Sequence, residues 1–293
     1  MAALTGQLEL APKPGLPDPR DLGAGAGGRD LRARRWSAKA LVPGLAAMAA
    51  AARRAGEPTR GLREELGAIG RCTEHSVALT AFGYPKEGAA AGHRGALWVL
   101  GLLVAAAALE SGVSPRELPA TAKRIAAHPD RKAPRVPSQG STVSAKFGAA
   151  GARGEARAGF PHVRRAWEAL DTARRAGTPE PYARLDALLT VMSTLQDTGL
   201  LHQAGPHGLR HVQAGARGIL EAGGTSTDAG RQALKEFDDD LHARAWRPRG
   251  GGALLTGVLF LDSLSLPVTA GPLKTAAWGA RQNIVLPRSA ISP

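Results

Sequence analysis

Apolar residues recur along this chain at the spacing of α-helices rather than of β-strands. The clearest stripe predicts an amphipathic helix that ends near Asp197. It follows the offsets i, i+3, i+4, i+7 and i+10, with Leu185, Leu188, Leu189, Met192 and Leu195 as its members. A continuous apolar run from Ala96 to Leu109 predicts a buried helix, because it is shorter than the roughly 20 residues of a membrane span. No segment shows the strict apolar–polar alternation of a half-buried strand.

Less regular stripes and breaks predict the remaining elements. Further helices are expected over residues 31–55 with a break at Pro43 and Gly44, 62–81, 161–175, 208–222, 228–245 and 253–264. Glycine, proline and basic residues predict loops at 128–141, 148–159 and 247–252. After Leu264 the helical period and the acidic residues both stop. We therefore expect an all-α fold, with one multi-helix domain over residues 1–264 and an irregular C-terminal extension over 265–293.

The composition supports helices and indicates a negatively charged partner. Alanine, the best helix former, supplies 57 of the 293 residues, whereas aromatic residues make up only 4%. Lysine and arginine outnumber the acidic residues by 38 to 25, which gives a formal net charge of +13. This surplus favours nucleic acid, an acidic protein or a nucleotide with several phosphates as the partner. A basic helical nucleic-acid-binding protein stays open as an alternative, although no zinc finger, RNP-type aromatic motif or basic heptad region supports it.

Cysteine content and the N-terminus bear on the cellular compartment. The single cysteine, Cys72, excludes an internal disulfide framework and a multi-cysteine metal site. Residues 1–10 have neither the basic nor the apolar region of a secretory signal. These features predict a soluble cytoplasmic protein with no membrane partner.

Six segments place glycine, proline and charged residues together at the ends of predicted helices. In chain order they are 11–18 (APKPGLPD), 92–96 (GHRGA), 151–161 (GARGEARAGFP), 196–201 (QDTGLL), 237–241 (FDDDL) and 247–252 (RPRGGG). Taken in this order, they resemble the segments of the triphosphoribosyl-dephospho-coenzyme A synthase family. The resemblance covers residues 5–264, which makes it far more specific than any one motif.

The resemblance implies a fold, a reaction and partners. Members of this family are all-helical, take ATP and 3′-dephospho-CoA, displace adenine, and join the triphosphoribosyl unit to a ribose hydroxyl of the CoA moiety. They act with a divalent cation, expected to be Mg²⁺, and make the prosthetic-group precursor of malonate decarboxylase or citrate lyase. For this chain we expect the malonate decarboxylase system, with the downstream holo-acyl-carrier transferase as a further partner.

The residue types in the matched segments suit this chemistry. Breakage of an anomeric C–N bond builds positive charge on the ribose, which a nearby carboxylate stabilises. The acceptor hydroxyl needs a general base, and a triphosphate needs basic side chains, backbone N–H groups and a metal. By the resemblance, the metal and proton-transfer roles fall to Asp18, Glu155 and Asp197. Nucleotide binding is expected from Lys13, Gly15, His93, Arg94, Arg153, Gly154, Thr198, Gly250 and Gly251.

The same residues also have ordinary structural explanations. Lys13 is explained as an exposed loop lysine, and Arg153 and Glu155 as a surface ion pair worth about 0.5 kcal/mol. Residues 238–240 are typical of a solvated helix face. In the loop at 247–252, by contrast, backbone N–H groups at a helix start are expected to face phosphate.

Several positions depart from the family pattern. Residues 23–28 read GAGAGG where the family has GAHxDM, so a histidine and an aspartate are missing. Gln196 takes the place of the first acid in the family's DDTN-type segment, Gly199 that of its asparagine, and Ala253 that of the aspartate in the last loop. A nucleotide-binding relative that has lost catalysis is therefore a second hypothesis.

Overall fold

The computed structural model describes residues 1–20, 34–80 and 93–265, and these ranges contain helices and no β-strand. Besides a helical segment over 34–40, they hold twelve helices. The first six are α1 (Ala2–Glu9), α2 (Val42–Ala55), α3 (Arg60–Thr80), α4 (Arg94–Leu109), α5 (Leu118–Ala127) and α6 (Gln139–Phe147). The last six are α7 (Gly151–Arg157), α8 (Pro161–Arg175), α9 (Glu180–Met192), α10 (Thr198–Glu221), α11 (Asp228–Ala243) and α12 (Arg249–Ser265). The predicted all-α class is confirmed.

The two most apolar helices, α4 and α12, pack against each other at the centre of the fold. α4 also contacts α2 and α5, and α12 also contacts α1, α8 and α9. Glycine at position 257 permits the close approach, because a Cβ there would lie 2.7 Å from Val99 Cγ1. The starts of the two helices are equally close, since a Cβ at Gly95 would lie 2.9 Å from Ala253 Cβ. This packing brings the N-terminal ends of α4 and α12 side by side.

The long helices are present as predicted, with shifted ends. The apolar run forms α4, and residues 161–175 form α8. The break expected at Pro43 comes instead at Leu41, so the proline occupies the first turn of α2, where no intrahelical bond needs its N–H. α9 ends at Met192, before Leu195. α10 begins at Thr198, but non-helical backbone at Gly205 interrupts it, so its second part starts close to the expected residue 208.

Three segments predicted as loops contain some helix, although residues 128–138 and 247–248 are non-helical as predicted. The structure places α6 and α7 in the segments 128–141 and 148–159 or at their edges, and α12 begins at Arg249 rather than at residue 253. α6 is started by Ser138, whose side chain accepts the N–H of Ser141. In α7 the buried side chain of Ala156 packs into the core, so tertiary burial overrides the poor helix propensity of glycine.

The C-terminal prediction is tested only at its first residue. Ser265 is the last residue of α12, so helix extends one residue into the expected extension. The rest of the extension and the glycine-rich residues 23–28 lie outside the described residues. The division at residue 264 therefore stays a prediction. None of the helices in the described ranges combines the length and apolarity that a membrane span requires.

Candidate functional site

A cleft opens where the N-terminal segment crosses the starts of α4 and α12. Four basic side chains line it, from Lys13, Arg34, His93 and Arg249. The rest of the wall consists mainly of small and apolar residues, namely Leu8, Leu16, Pro17, Ala96, Gly252 and Ala253, with Gln7 and Thr256. The positive ends of two helix dipoles thus meet four basic side chains at one place, which favours a ligand with several negative charges.

Lys13 and His93, both expected to bind nucleotide, are buried in the walls of this cleft. Lys13 is 1% exposed, its Nζ donates to the Gln7 carbonyl oxygen at 2.8 Å, and its backbone N–H donates to Asp18 Oδ2 at 2.9 Å. His93 precedes the first residue of α4, and its Nε2 lies 3.1 Å from the Arg34 carbonyl oxygen. The explanation of Lys13 as an exposed loop lysine is therefore wrong.

A pair of buried aspartates anchors the loop that carries Lys13. Arg20 Nη2 donates to Asp18 Oδ2 at 2.6 Å and to Asp238 Oδ2 at 2.7 Å. The other oxygen of Asp238 accepts the backbone N–H of Gly15 at 3.0 Å. Gly15 has a φ of 62°, and a Cβ there would lie 2.6 Å from the Trp246 carbonyl oxygen. Glycine is required at this position by both the backbone conformation and the close contact.

The prediction of a solvated face over 238–240 is wrong for Asp238. Its side chain lies on the apolar face of α11 with Leu234, Phe237 and Leu241, and the residue is 3% exposed. The spacing i, i+3, i+4 and i+7 of these four residues is the signal that identifies Asp238 as inward-facing. Arg20 was also missed, since a single loop arginine gives no pattern.

Hydrogen bonds to Asp18 outweigh the effect of its burial. Burial raises the pKa of this carboxyl, but the Arg20 side chain and the backbone N–H groups of Lys13 and Arg20 hold the pKa below its usual value. For Arg20, burial lowers the pKa, and the bonds to Asp18 and Asp238 raise it overall. Asp18 is therefore ionised at neutral pH and stays paired with Arg20.

Asp197 joins the starts of α10 and α12. Its Oδ1 accepts the backbone N–H groups of Gly199 at 2.8 Å and Leu200 at 3.1 Å, as an N-cap residue does. Its Oδ2 accepts the N–H of Gly250 at 2.7 Å. Burial raises the pKa of Asp197, and the three N–H donors and Arg249 oppose this rise.

The N–H groups expected to face phosphate at 250 and 251 have protein partners instead. Asp197 takes the N–H of Gly250, and the Gly251 N–H donates to the Pro248 carbonyl oxygen at 3.2 Å. Thr198, the first residue of α10, lies beside the starts of α6 and α7. A Cβ at Gly140 would lie 3.6 Å from its Oγ1, and one at Gly151 3.5 Å from its Cγ2. Several helix starts are therefore grouped around residues 197–198.

Glu155 holds the start of α8. Its Oε1 accepts the backbone N–H of His162 at 3.0 Å, and its Oε2 lies 2.7 Å from His162 Nδ1. Within the described ranges no salt bridge joins Glu155 to Arg153, so the explanation as a local ion pair is wrong. The Nε2 atom of His162 is buried and has no hydrogen-bond partner. No sequence pattern had indicated His162.

The other predicted binding residues lie near the starts of α4 and α7 and do not line the cleft. Arg94 is exposed and its Nε lies 3.1 Å from Glu74 Oε2. Arg153 is exposed on α7, and Gly154 lies inside that helix rather than in a loop. Arg34 and Arg249, in contrast, line the cleft. Arg249 lies in the segment 247–252 that was expected to line the site, whereas Arg34 was not predicted to bind.

The three carboxylates expected to share a metal ion are not brought together as one site. Asp18 is bound by Arg20, Glu155 by His162, and Asp197 by backbone N–H groups. Throughout the part of the chain that the structure describes, no group of three or more His, Cys, Asp or Glu side chains is arranged to hold a metal ion.

Comparison with known proteins relates the chain to a family. A family model described as ATP:dephospho-CoA triphosphoribosyl transferase matches residues 1–270. Similar proteins from Stutzerimonas stutzeri, Azotobacter vinelandii and Pseudomonas aeruginosa are each named "Probable 2-(5''-triphosphoribosyl)-3'-dephosphocoenzyme-A synthase". They are 44%, 44% and 45% identical to this chain over 92%, 93% and 92% of its length, and over 91%, 92% and 89% of their own. No solved structure matches the chain.

Proposed function

This chain belongs to the ATP:dephospho-CoA triphosphoribosyl transferase family and is a transferase, and we propose that it acts on the two substrates in that name. The C–N bond between adenine and the ribose of ATP breaks, and a ribose hydroxyl of 3′-dephospho-CoA bonds to the same anomeric carbon. The hydroxyl loses its proton to a base, and adenine takes up a proton as it leaves. The product carries the triphosphoribosyl unit on dephospho-CoA.

The cleft with its four basic side chains is the observation that carries this proposal. The triphosphate of ATP needs several positive groups in one place, and Lys13, His93 and Arg249 lie at the paired starts of α4 and α12. We assign these side chains to the triphosphate. Close packing at Gly95 and Ala253 keeps the two helix starts fixed relative to each other.

We assign Asp18 the role of stabilising positive charge on the ribose. Its carboxylate is ionised and accepts the N–H of Lys13, so it lies directly behind the cleft wall. Asp197 and Glu155 are proposed as positioning residues, because the first holds the starts of α10 and α12 and the second that of α8. Thr198, Gly250 and Gly251 then belong to the framework that Asp197 fixes.

Mg²⁺ is proposed to accompany the triphosphate rather than to sit in a cage of protein carboxylates. Mg²⁺ in nucleotide sites uses one or two carboxylates together with substrate phosphates and water. Asp18, whose carboxylate accepts the N–H of Lys13 in the cleft wall, is the carboxylate that we propose for such a contact. When bound, the ion would neutralise phosphate charge.

The test is adenine release from ATP that depends on 3′-dephospho-CoA, with mass spectrometry of the product. We expect Lys13→Gln to weaken ATP binding and turnover about tenfold or more, because a charge-assisted contact is lost. Lys235→Gln is the matched control, since Lys235 is exposed and bonded only to Asp239 among the described contacts. Binding of both nucleotides without adenine release identifies the catalysis-deficient alternative, and no binding of either overturns the proposal.

The product's destination is proposed to be the malonate decarboxylase system of the cytoplasm. This step rests on the resemblance of the matched segments, and Cys72 is an exposed free thiol, which fits a reducing compartment. Loading of apo acyl-carrier subunits by the downstream holo-acyl-carrier transferase distinguishes the malonate and citrate systems.

A further inference from the structure

Arg63, on α3, is a buried cation that lacks hydrogen bonds to its guanidinium group. Its side chain is 8% exposed, and the nearest carboxylate oxygen, Asp130 Oδ2, is 3.7 Å away, beyond hydrogen-bond distance. Its guanidinium stacks on the Trp98 ring at 4.7 Å. Among the described residues, this ion pair and the Trp98 ring stabilise the charge, and the side-chain N–H groups have no protein acceptor within hydrogen-bond distance. A buried arginine with five N–H donors normally has an anionic or carbonyl partner for them.

The surroundings of Arg63 are positive. Arg71 Nη1 lies 3.0 Å from the same Asp130 oxygen, so one carboxylate serves two arginines. Burial lowers the pKa of Arg63, and the charges of Arg153, Arg71 and Arg157 lower it further, against the opposing effect of Asp130. Two guanidinium groups therefore share one carboxylate, and Arg153 and Arg157, which are exposed on α7, add further positive charge that acts on Arg63.

We propose that Arg63, Arg71, Arg153 and Arg157 form a second anion site, which binds the diphosphate of 3′-dephospho-CoA. This assignment rests on the proposed function, because a reaction between two nucleotides needs two polyphosphate sites. The excess of positive charge matches a diphosphate, and the planar guanidinium groups suit its paired oxygens. The Arg63–Trp98 stack holds the buried guanidinium in place.

The arginine site and the cleft both lie near the N-terminal end of α4. Trp98 Nε1 donates to the Ala152 carbonyl oxygen at 3.2 Å, which ties the arginine site to the first turn of α7. Ala96 lines the cleft, and it lies about 200° around α4 from Trp98. The arginine site and the cleft therefore lie on opposite faces of α4 near its N-terminal end.

The test measures binding of ATP and of 3′-dephospho-CoA separately by calorimetry on the full chain. Arg63→Gln should weaken 3′-dephospho-CoA binding about tenfold or more and leave ATP binding within about twofold. The double variant Arg153→Gln with Arg157→Gln changes only exposed residues and should act in the same direction, so a folding defect at Arg63 leaves the proposal testable. Arg60→Gln is the matched control, since Arg60 is an exposed arginine of the same helix that pairs with Glu64.

A gain of affinity separates this role from a merely structural one. Asp130→Asn removes the carboxylate that competes with a bound anion, so 3′-dephospho-CoA should bind several-fold more tightly. If Arg63 serves only the fold, the same variant should bind no better. Wild-type affinity for 3′-dephospho-CoA in both arginine variants overturns the site even if adenine release is observed. Conversely, arginine-dependent binding without adenine release leaves the site standing and refutes the proposed reaction.

Discussion

The carboxylate of Asp197 accepts the backbone N–H of Gly250 at 2.7 Å while its other oxygen caps α10. One side chain thereby fixes the start of α12, the helix that supplies Arg249 and Gly252 to the cleft. The geometry of the cleft depends on a residue that does not line it. This arrangement makes Asp197 a positioning residue with a measurable effect on both stability and turnover.

Asp197→Ala should lower the free energy of unfolding by about 2 kcal/mol or more, because three backbone N–H groups lose their acceptor in a buried place. Adenine release should fall as well, since the start of α12 is no longer held. Thr227→Ala is the control: Thr227 caps α11 by accepting the N–H of Gly230 at 3.0 Å. It should cost about 1 kcal/mol in urea unfolding with normal turnover. Equal effects on turnover would contradict the positioning role.

Gly250→Val should weaken ATP binding through Asp197. A Cβ at this position would lie 2.9 Å from Asp197 Oδ2 and 3.0 Å from Leu195 Cδ2, so the carboxylate must move. We expect lower stability together with lower affinity, measured by thermal unfolding and calorimetry. Loss of affinity with unchanged stability would instead indicate direct contact between this backbone and phosphate.

Gly15→Ala should destabilise the protein more than Gly56→Ala does. Both glycines have positive φ, 62° and 70°, so each substitution adds a left-handed strain of about 1 kcal/mol. Only at Gly15 does the new Cβ also meet backbone, the Trp246 carbonyl oxygen at 2.6 Å; at Gly56 nothing lies within 4 Å. Urea unfolding of the two variants measures the difference, and equal costs would show that the contact to Trp246 is unimportant.

Glu155→Gln separates a structural from a catalytic role for Glu155. The variant keeps an acceptor for the His162 N–H and loses the charge beside His162 Nδ1. A positioning role predicts a loss of about 1 kcal/mol in stability and a turnover that falls only in proportion to folded protein. A large loss of turnover at normal stability would restore the catalytic assignment.

The sequence predicted the helical class because apolar spacing reports burial directly, as α4 and α9 show. It missed α7, because the glycine content of this segment disfavours helix, whereas burial of Ala156 in the core stabilises it. It also missed the start of α6 at Gln139. Part of the candidate site was predicted from the resemblance of the matched segments, which indicated Lys13 and His93, and the structure places both residues in one cleft. Arg63 could not be predicted from the sequence, because its burial depends on Trp98 and Asp130, which no local pattern connects to it.

Acid should weaken the stabilisation that the Asp18–Arg20 pair gives to the folded protein. The pKa of Asp18 is held below its ordinary value of 3.8 in the folded protein, so as pH falls the unfolded chain takes up this proton first. The stabilisation from the Asp18–Arg20 pair is therefore complete well above pH 3.8 and is lost as pH falls through that value toward the lowered pKa. Asp197 and Asp186, whose pKa values burial raises, act in the opposite direction, so the pH profile of the wild-type stability alone does not isolate the contribution of Asp18.

The variant Arg20→Gln isolates this contribution, because it removes the partner of Asp18 and leaves Asp18 buried. Urea unfolding should show a large destabilisation by this variant at pH 7 and a smaller one at the lowest pH at which the protein stays folded, because protonation of Asp18 below pH 3.8 removes the pair. An equal loss at both pH values would mean that Arg20 stabilises the loop through packing or through Asp238 rather than through the Asp18 charge.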